Sequence, residues 1–356
     1  MKILKSIFLT SIFSLFSCNP NSNEFLHLEA IDSIIHKSVK TNHPGLGVGI
    51  IRNGEVIYEK YRGLSNLQHQ IPFSNKTRSN IASTAKQFTA MMVLDLALKE
   101  KLNLDENIRN YFPNLYKTVA DKIRIRHLIN HSSGIHEYVD LLSEAGKVWW
   151  KHVGLDNNDI MKLLEKQNNL EFRPGTKYNY SNSNYIVLAK IIEKVTGEKF
   201  TNYSKNFFNE LNMLETSFVE RYMGIIPNRA SPYSDWGKGE WWETPTVTKT
   251  SGEGFLYTTL RDQLTFEKEI QNSNNVLFVK SQKPIPESKI ETYGFGLKLE
   301  DRIGREAIHH DGATLGYHSQ TIRFPNEKLT IFILSNNGNI RSDLMANEIA
   351  NILLNE

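Results

Sequence analysis

Ser83-Thr84-Ala85-Lys86 runs almost directly into an apolar stretch from Phe88 to Leu98. Residues three apart on a helix share a face, so Ser83 and Lys86 come within reach of each other. A serine alcohol is a poor nucleophile until a neighbouring base takes its proton, and burial at the mouth of an apolar helix makes a lysine neutral enough to be that base. Ser83 is therefore a candidate nucleophile and Lys86 a candidate base. The same residues also suit an ordinary helix start with Ser83 as the N-cap. Ser83 is, however, the only serine with a lysine three residues on, and clusters later in the chain decide between the two readings.

The 356 residues are 40% hydrophobic and 23% charged, the balance of a folded globular protein of one or two domains. A chain of this length buries roughly three quarters of its unfolded surface and needs neither disulfide nor metal to hold together. Its one cysteine, Cys18, lies in the only stretch that reads as a targeting signal. Lys2 and Lys5 precede an apolar run from Ile7 to Phe16, too short to span a bilayer but suited to a secretory signal. Leu15-Phe16-Ser17-Cys18 resembles a bacterial lipoprotein box, cut before the cysteine that then carries the lipid. A plain signal peptide with an incidental cysteine is the alternative, and either way the protein leaves the cytoplasm. The expected location is the bacterial cell envelope, lipid-anchored to a membrane on its periplasmic or surface side. Without residues 1–17 the chain keeps 40 basic and 39 acidic side chains, so charge offers no case for nucleic acid as a partner.

After the signal (1–17) and a polar tether (18–24), Phe25 to Val39 shows helical spacing. Asn53-Gly54 then separates the apolar runs Leu46 to Ile51 and Val56 to Tyr61, the strongest short-range hairpin signal. Helical patterns dominate from Ser83 to about Phe208, and Met223 to Thr250, with three tryptophans, reads as irregular. Strand-like runs return at Tyr293 to Leu299, Tyr317 to Phe324 and Leu329 to Leu334, and a helix from Ser342 to Leu354 finishes the chain. The expected fold is α/β (α+β): an antiparallel sheet built from both chain ends and flanked by helices, residues 25–70 and 250–356, with a helical part at 71–249 inserted. An active site is expected at their junction.

Two further clusters bear on chemistry. Of 14 tyrosines, Tyr180 alone has an asparagine two residues on, Asn182. A tyrosine near cations can relay a proton, and a carboxamide offers a donor and an acceptor to a substrate amide. A packed loop tyrosine followed by a helix cap fits the same residues. The second cluster, His309-His310-Asp311-Gly312-Ala313, precedes the run at Tyr317. A glycine at a strand edge admits a substrate backbone, and the N–H groups there can stabilise an oxyanion.

In this order the three clusters resemble the serine β-lactamase and penicillin-binding-protein superfamily, in its class C-like branch with esterases and D-amino-acid peptidases. Arg126 to Ile135, Pro174 to Asn182, Ser251-Gly252-Glu253-Gly254 and Tyr293-Gly294-Phe295-Gly296 extend the resemblance over most of the mature chain. It implies a serine hydrolase working through an acyl-enzyme on an amide or ester (peptide, ester or β-lactam). Ser83 would be acylated, Lys86 and Tyr180 would share acid and base roles, and Asn182 would bind the substrate amide. His310 would stand where many relatives carry lysine, beside Gly312, and the N–H groups of Ser83 and Ala313 would form the oxyanion hole. No metal or organic cofactor is implied; the partners are a small-molecule or peptide substrate and the membrane, through lipid on Cys18.

Two positions depart from the family pattern. Asn184 stands where relatives often have glycine. Asp311 stands where they mostly have a small or hydroxyl residue, and its charge would repel a substrate carboxylate unless strand alternation turns it away from His310. Two rival functions are a metal hydrolase and an inactive lipid-anchored binding or sensing module on the same fold. His127 and His131 are four apart and His309, His310 and Asp311 cluster, but Leu128 occupies the place where a zinc protease needs glutamate. The joint presence of Ser83, Lys86 and Tyr180 favours an active enzyme over the binding module.

Overall fold

Asn53 and Gly54 both take positive φ, 52° and 78°, the geometry a two-residue hairpin turn demands. They join β1 (Leu46–Arg52) to β2 (Glu55–Arg62) in antiparallel register, as the sequence predicts. The computed structural model describes residues 22–119, 122–146, 154–218, 224–244 and 249–355. Cys18 and the signal region lie outside the described residues, as do parts of the irregular 223–250 stretch.

The C-terminal part adds β3 (Lys298–Arg302), β4 (Arg305–Thr314), β5 (Tyr317–Phe324) and β6 (Leu329–Ser335). The six strands form one antiparallel sheet in the order β3-β4-β5-β6-β1-β2, so the two chain ends meet where β1 pairs with β6, Leu46 opposite Ser335. An antiparallel sheet of both ends is the expected fold. Two boundaries differ from expectation. The run at 293–297 is a turn, with Gly296 at φ 76°, and only Lys298 onward is strand. The ten-residue β4, which carries His309 to Ala313, is a full central strand with no apolar alternation to announce it.

Period-two alternation sorts β1 between two layers. Leu46, Val48 and Ile50 pack with Ile31 and Ile35 of α1 (Ser22–Ser38) and Ile349 and Leu353 of the C-terminal helix, Ser342–Leu354. Gly47 and Gly49 alternate with them, and a Cβ at Gly49 would lie 2.6 Å from Leu264 Cδ2. That absence of side chain lets the helix Leu260–Asn272 lie close on the sheet. Beyond it runs α2 (Lys86–Leu98), buried nearly all round, with Phe88 edge-on to Phe208 and tilted against Phe266. A helix that is apolar on every side belongs in a core.

The 71–249 portion carries helices at Ile125–Ile129, Tyr138–Glu144, Asn157–Leu164, Phe200–Glu210 and α3 (Asn182–Thr196). Short strands also occur there: Ser79–Asn80 and Ser217–Phe218 both pair with Leu256–Thr258.

Candidate active site

Ser83 sits in a single 3₁₀ turn, Ala82–Ala85, and Lys86 opens α2 directly after it. The turn is clamped to the sheet. Ser319 Oγ on β5 donates to Ile81 O at 2.6 Å, and Thr84 Oγ1 meets Ser319 Oγ at 2.8 Å. Asn80 Oδ1 accepts from Ala82 N at 2.8 Å, holding Ala82 at φ 46°, a backbone state costly for a residue with a Cβ. Gly312 on β4 presses against this turn: a Cβ there would lie 2.2 Å from Ile81 O and 3.1 Å from Ser83 N. Any side chain at 312 would push the nucleophile away from the strand.

Lys86 Nζ is fully buried with three oxygens around it: Ser83 Oγ at 3.0 Å, Asn182 Oδ1 at 2.8 Å and Glu253 O at 2.5 Å. The Glu253 carboxylate lies 4.0 Å away. Burial lowers the lysine to about 8, against the raising pull of Glu253, Glu137 and Asp311. Tyr180 ends the loop before α3, with Lys86 Nζ 5.0 Å from its ring centroid. Burial holds its phenol well above the ordinary value, opposed by a hydrogen bond with Ser83. Around neutral pH Tyr180 is thus a phenol, able to donate or relay a proton rather than to start as a base.

Asn182, the first residue of α3, is oriented from two sides, because its Oδ1 accepts from Lys86 while its backbone N–H donates to the Glu137 carboxylate. Glu137 also caps the helix Tyr138–Glu144 by accepting from Val139 N at 3.2 Å. Neither Glu137 nor Glu253 was legible as a site residue. Glu137 sits in a loop next to a histidine with no periodic signal, and Glu253 stands in the sequence only as one letter of the segment Ser251 to Gly254.

His131 forms the floor under Tyr180, with ring centroids 4.3 Å apart. Its Nδ1 accepts from Ser181 N and from the Asn184 amide, both at 3.2 Å. Asn184 in turn accepts from Ser133 Oγ at 2.6 Å, so the departure at this position ties the 131–133 turn to α3. His127 does not share a helix face with His131, because the helix ends at Ile129 and His131 takes φ 56°. Among the described residues no cluster of His, Cys, Asp and Glu is arranged to hold a metal ion.

His310 lies under the site rather than open to it. Its Nδ1 donates to Asp311 O at 2.6 Å and its Nε2 accepts from the Tyr293 hydroxyl at 3.0 Å, so both ring nitrogens are taken up by the protein. Burial and the nearby Lys86 charge bring it down to about 3, which keeps it neutral. Asp311 is on the opposite face of β4 and pairs with Lys298 Nζ at 2.5 Å. Burial raises its carboxyl, and the Lys298 bond outweighs that and holds it at about 2. Ala313 joins Ser83, Asn182, Tyr138, Glu253 and Phe255 in lining a cleft of about 130 Å³.

Among solved structures, the octameric penicillin-binding protein homologue from Pyrococcus abyssi superposes with a TM-score of 0.79 at 22% identity, covering 92% of this chain and 78% of that one. The D-amino acid amidase from Ochrobactrum anthropi SV3, complexed with L-phenylalanine amide, gives 0.77 at 21% identity over 92% of this chain and 99% of that one. In sequence, a D-aminopeptidase of Gluconobacter oxydans is 25% identical over 301 residues, 82% of this chain and 56% of the relative. Protein flp of Staphylococcus aureus is 26% identical over 324 residues, 86% of this chain and 62% of the relative. The chain thus spans about three fifths of the length of these curated relatives. The model of the family described as Beta-lactamase matches residues 31–354, and the chain belongs to that family.

Proposed function

We propose that this protein is a serine hydrolase that opens an amide or ester of a small molecule or peptide through an acyl-enzyme on Ser83. The observation that carries this is the shell around Lys86. A neutral amine has two N–H groups and one lone pair; Asn182 Oδ1 and Glu253 O accept the two hydrogens, which leaves the lone pair for the Ser83 hydroxyl at 3.0 Å. Lys86 takes the Ser83 proton as Oγ attacks the carbonyl, Tyr180 passes a proton to the leaving group, and water then releases the acyl group by the same route in reverse. The N–H groups of Ser83 and Ala313 receive the developing oxyanion.

A D-aminopeptidase and a D-amino acid amidase among the relatives support hydrolysis of this kind. The direct test is intact-mass measurement after incubation with a penicillin, a short acyl ester and D-amino-acid peptides. A stable or transient acyl adduct on Ser83 is expected with at least one of them, and no adduct with any would oppose the reading. We further propose that lipid on Cys18 tethers the enzyme to a membrane of the cell envelope, because the basic start, short apolar run and Ser17-Cys18 pair fit a lipoprotein signal. Cys18→Ser should then release the protein from membranes.

A further inference from the structure

Glu253 is more than nine-tenths buried, yet it lines the cleft beside Ser83 and Asn182. Its Oε1 accepts from Thr250 Oγ1 at 3.0 Å and from the Tyr138 hydroxyl at 3.3 Å. Its Oε2 is turned to Lys86 Nζ, 4.0 Å away and beyond hydrogen-bond length. The other carboxylate of the site, Glu137, is committed to Val139 N and Asn182. The cleft therefore contains one carboxylate oxygen whose cation is the very group that must be neutral when Ser83 is activated.

We propose that Glu253 is a cation subsite: it takes the protonated primary amine of a substrate whose amine lies next to the scissile carbonyl, and the arriving ammonium drives Lys86 to its neutral form. This rests on the hydrolase reading above and names its substrate class. The reach is right. Distances of 3.0 Å and 4.0 Å from Lys86 Nζ leave Ser83 Oγ and Glu253 Oε2 no more than about 7 Å apart. A carbonyl carbon about 3 Å from Oγ, an amine two bonds further on and a charge-assisted hydrogen bond of about 2.8 Å cover that span. Tyr138, Val139 and Phe255 line the same cleft and suit an apolar side chain.

The proton balance closes. Lys86 releases one proton to solvent, the substrate keeps its own, and Glu253 exchanges one cation for another. The other groups facing Lys86 do not replace this exchange. Glu137 and Asp311 are already paired, while Tyr180, Tyr185, His131 and His310 are held in their neutral forms.

The test uses the methyl esters and amides of phenylalanine, in both enantiomers, against the matching 3-phenylpropanoic acid derivatives, which lack only the amine. The wild type should favour the better amine enantiomer by about 10- to 100-fold in kcat/KM at pH 7, the range a charge-assisted hydrogen bond supports. Glu253→Gln should cut that preference below about threefold, and Glu253→Asp, which keeps the charge, should retain most of it. The acid limb of kcat should lie about one pH unit lower for the amine substrate than for its counterpart, a tenfold shift in the Lys86 equilibrium. A preference that survives Glu253→Gln undiminished, no preference in the wild type, or coincident acid limbs would overturn the subsite. Failure of the hydrolase reading itself looks different, because then a neutral fluorophosphonate would leave Ser83 unlabelled.

Discussion

Lys86 Nζ lies 3.0 Å from Ser83 Oγ, and its two other near neighbours, Asn182 Oδ1 and Glu253 O, can only accept hydrogens. The rate of acylation should therefore follow the neutral fraction of a lysine brought down to about 8 by burial. The amine must be unprotonated to act, so log kcat/KM for a neutral ester should rise by one per pH unit below about 8 and level off above it. His131, well below its ordinary value, and His310, at about 3, stay neutral across this range and add no limb. A midpoint between 6 and 7 that moves in His310→Gln would assign the base to an imidazole instead.

Lys86→Ala and Tyr180→Phe should each slow acylation of the same ester by at least about 100-fold, within the range for a positioned acid or base. Because the hydrogen-bonded contacts of both converge on the Ser83 hydroxyl, the double variant should lose far less than the product of the two. Multiplicative losses in pre-steady-state rates would separate the two groups into independent paths.

Asp311 carries a charge already balanced by Lys298 at 2.5 Å on the face of β4 opposite His310. Its repulsion of a substrate carboxylate is correspondingly weakened. Asp311→Thr should change acylation by a penicillin and by a neutral ester to the same extent, within about threefold, since exposed pairs of this kind contribute little. A selective gain for the penicillin would restore the charge as a determinant of substrate choice.

Behind the nucleophile, Arg323 and Glu267 form a buried pair through Nε to Oε2 and Nη2 to Oε1, both 2.7 Å, and Nη2 also donates to Gln87, the residue after Lys86. Removing one partner strands a buried charge. Arg323→Met should cost about 3–5 kcal/mol in denaturant unfolding, and adding Glu267→Leu should recover most of it. Equal losses in single and double variants would mean that packing, not charge, is what Arg323 supplies.

The parts of this molecule legible in the sequence are those encoded by spacing along one element. Ser83 and Lys86 sit three apart across a helix start, and Asn53-Gly54 dictates its own turn. Strand β4 is legible only around His310 to Gly312, because its buried stretch Ala307 to His310 includes two histidines, held by hydrogen bonds to Glu300, Tyr293 and the Asp311 carbonyl, in place of an apolar alternation. The run from Tyr293 misled in the other direction: its apolar residues alternate as in a strand, but Gly296 at φ 76° turns the chain under Lys86. Glu137, Glu253 and the Arg323–Glu267 pair act across long stretches of chain, where no local pattern links the partners.

The most direct measurement is active-site labelling with a neutral fluorophosphonate, with intact-mass analysis and peptide mapping of the product. One phosphonyl mass should appear, on the peptide containing Ser83, at a rate that rises with pH towards a plateau above about 8. Ser83→Ala should take up none. Labelling that persists in Ser83→Ala, or that maps to another residue, would contradict the account at its centre.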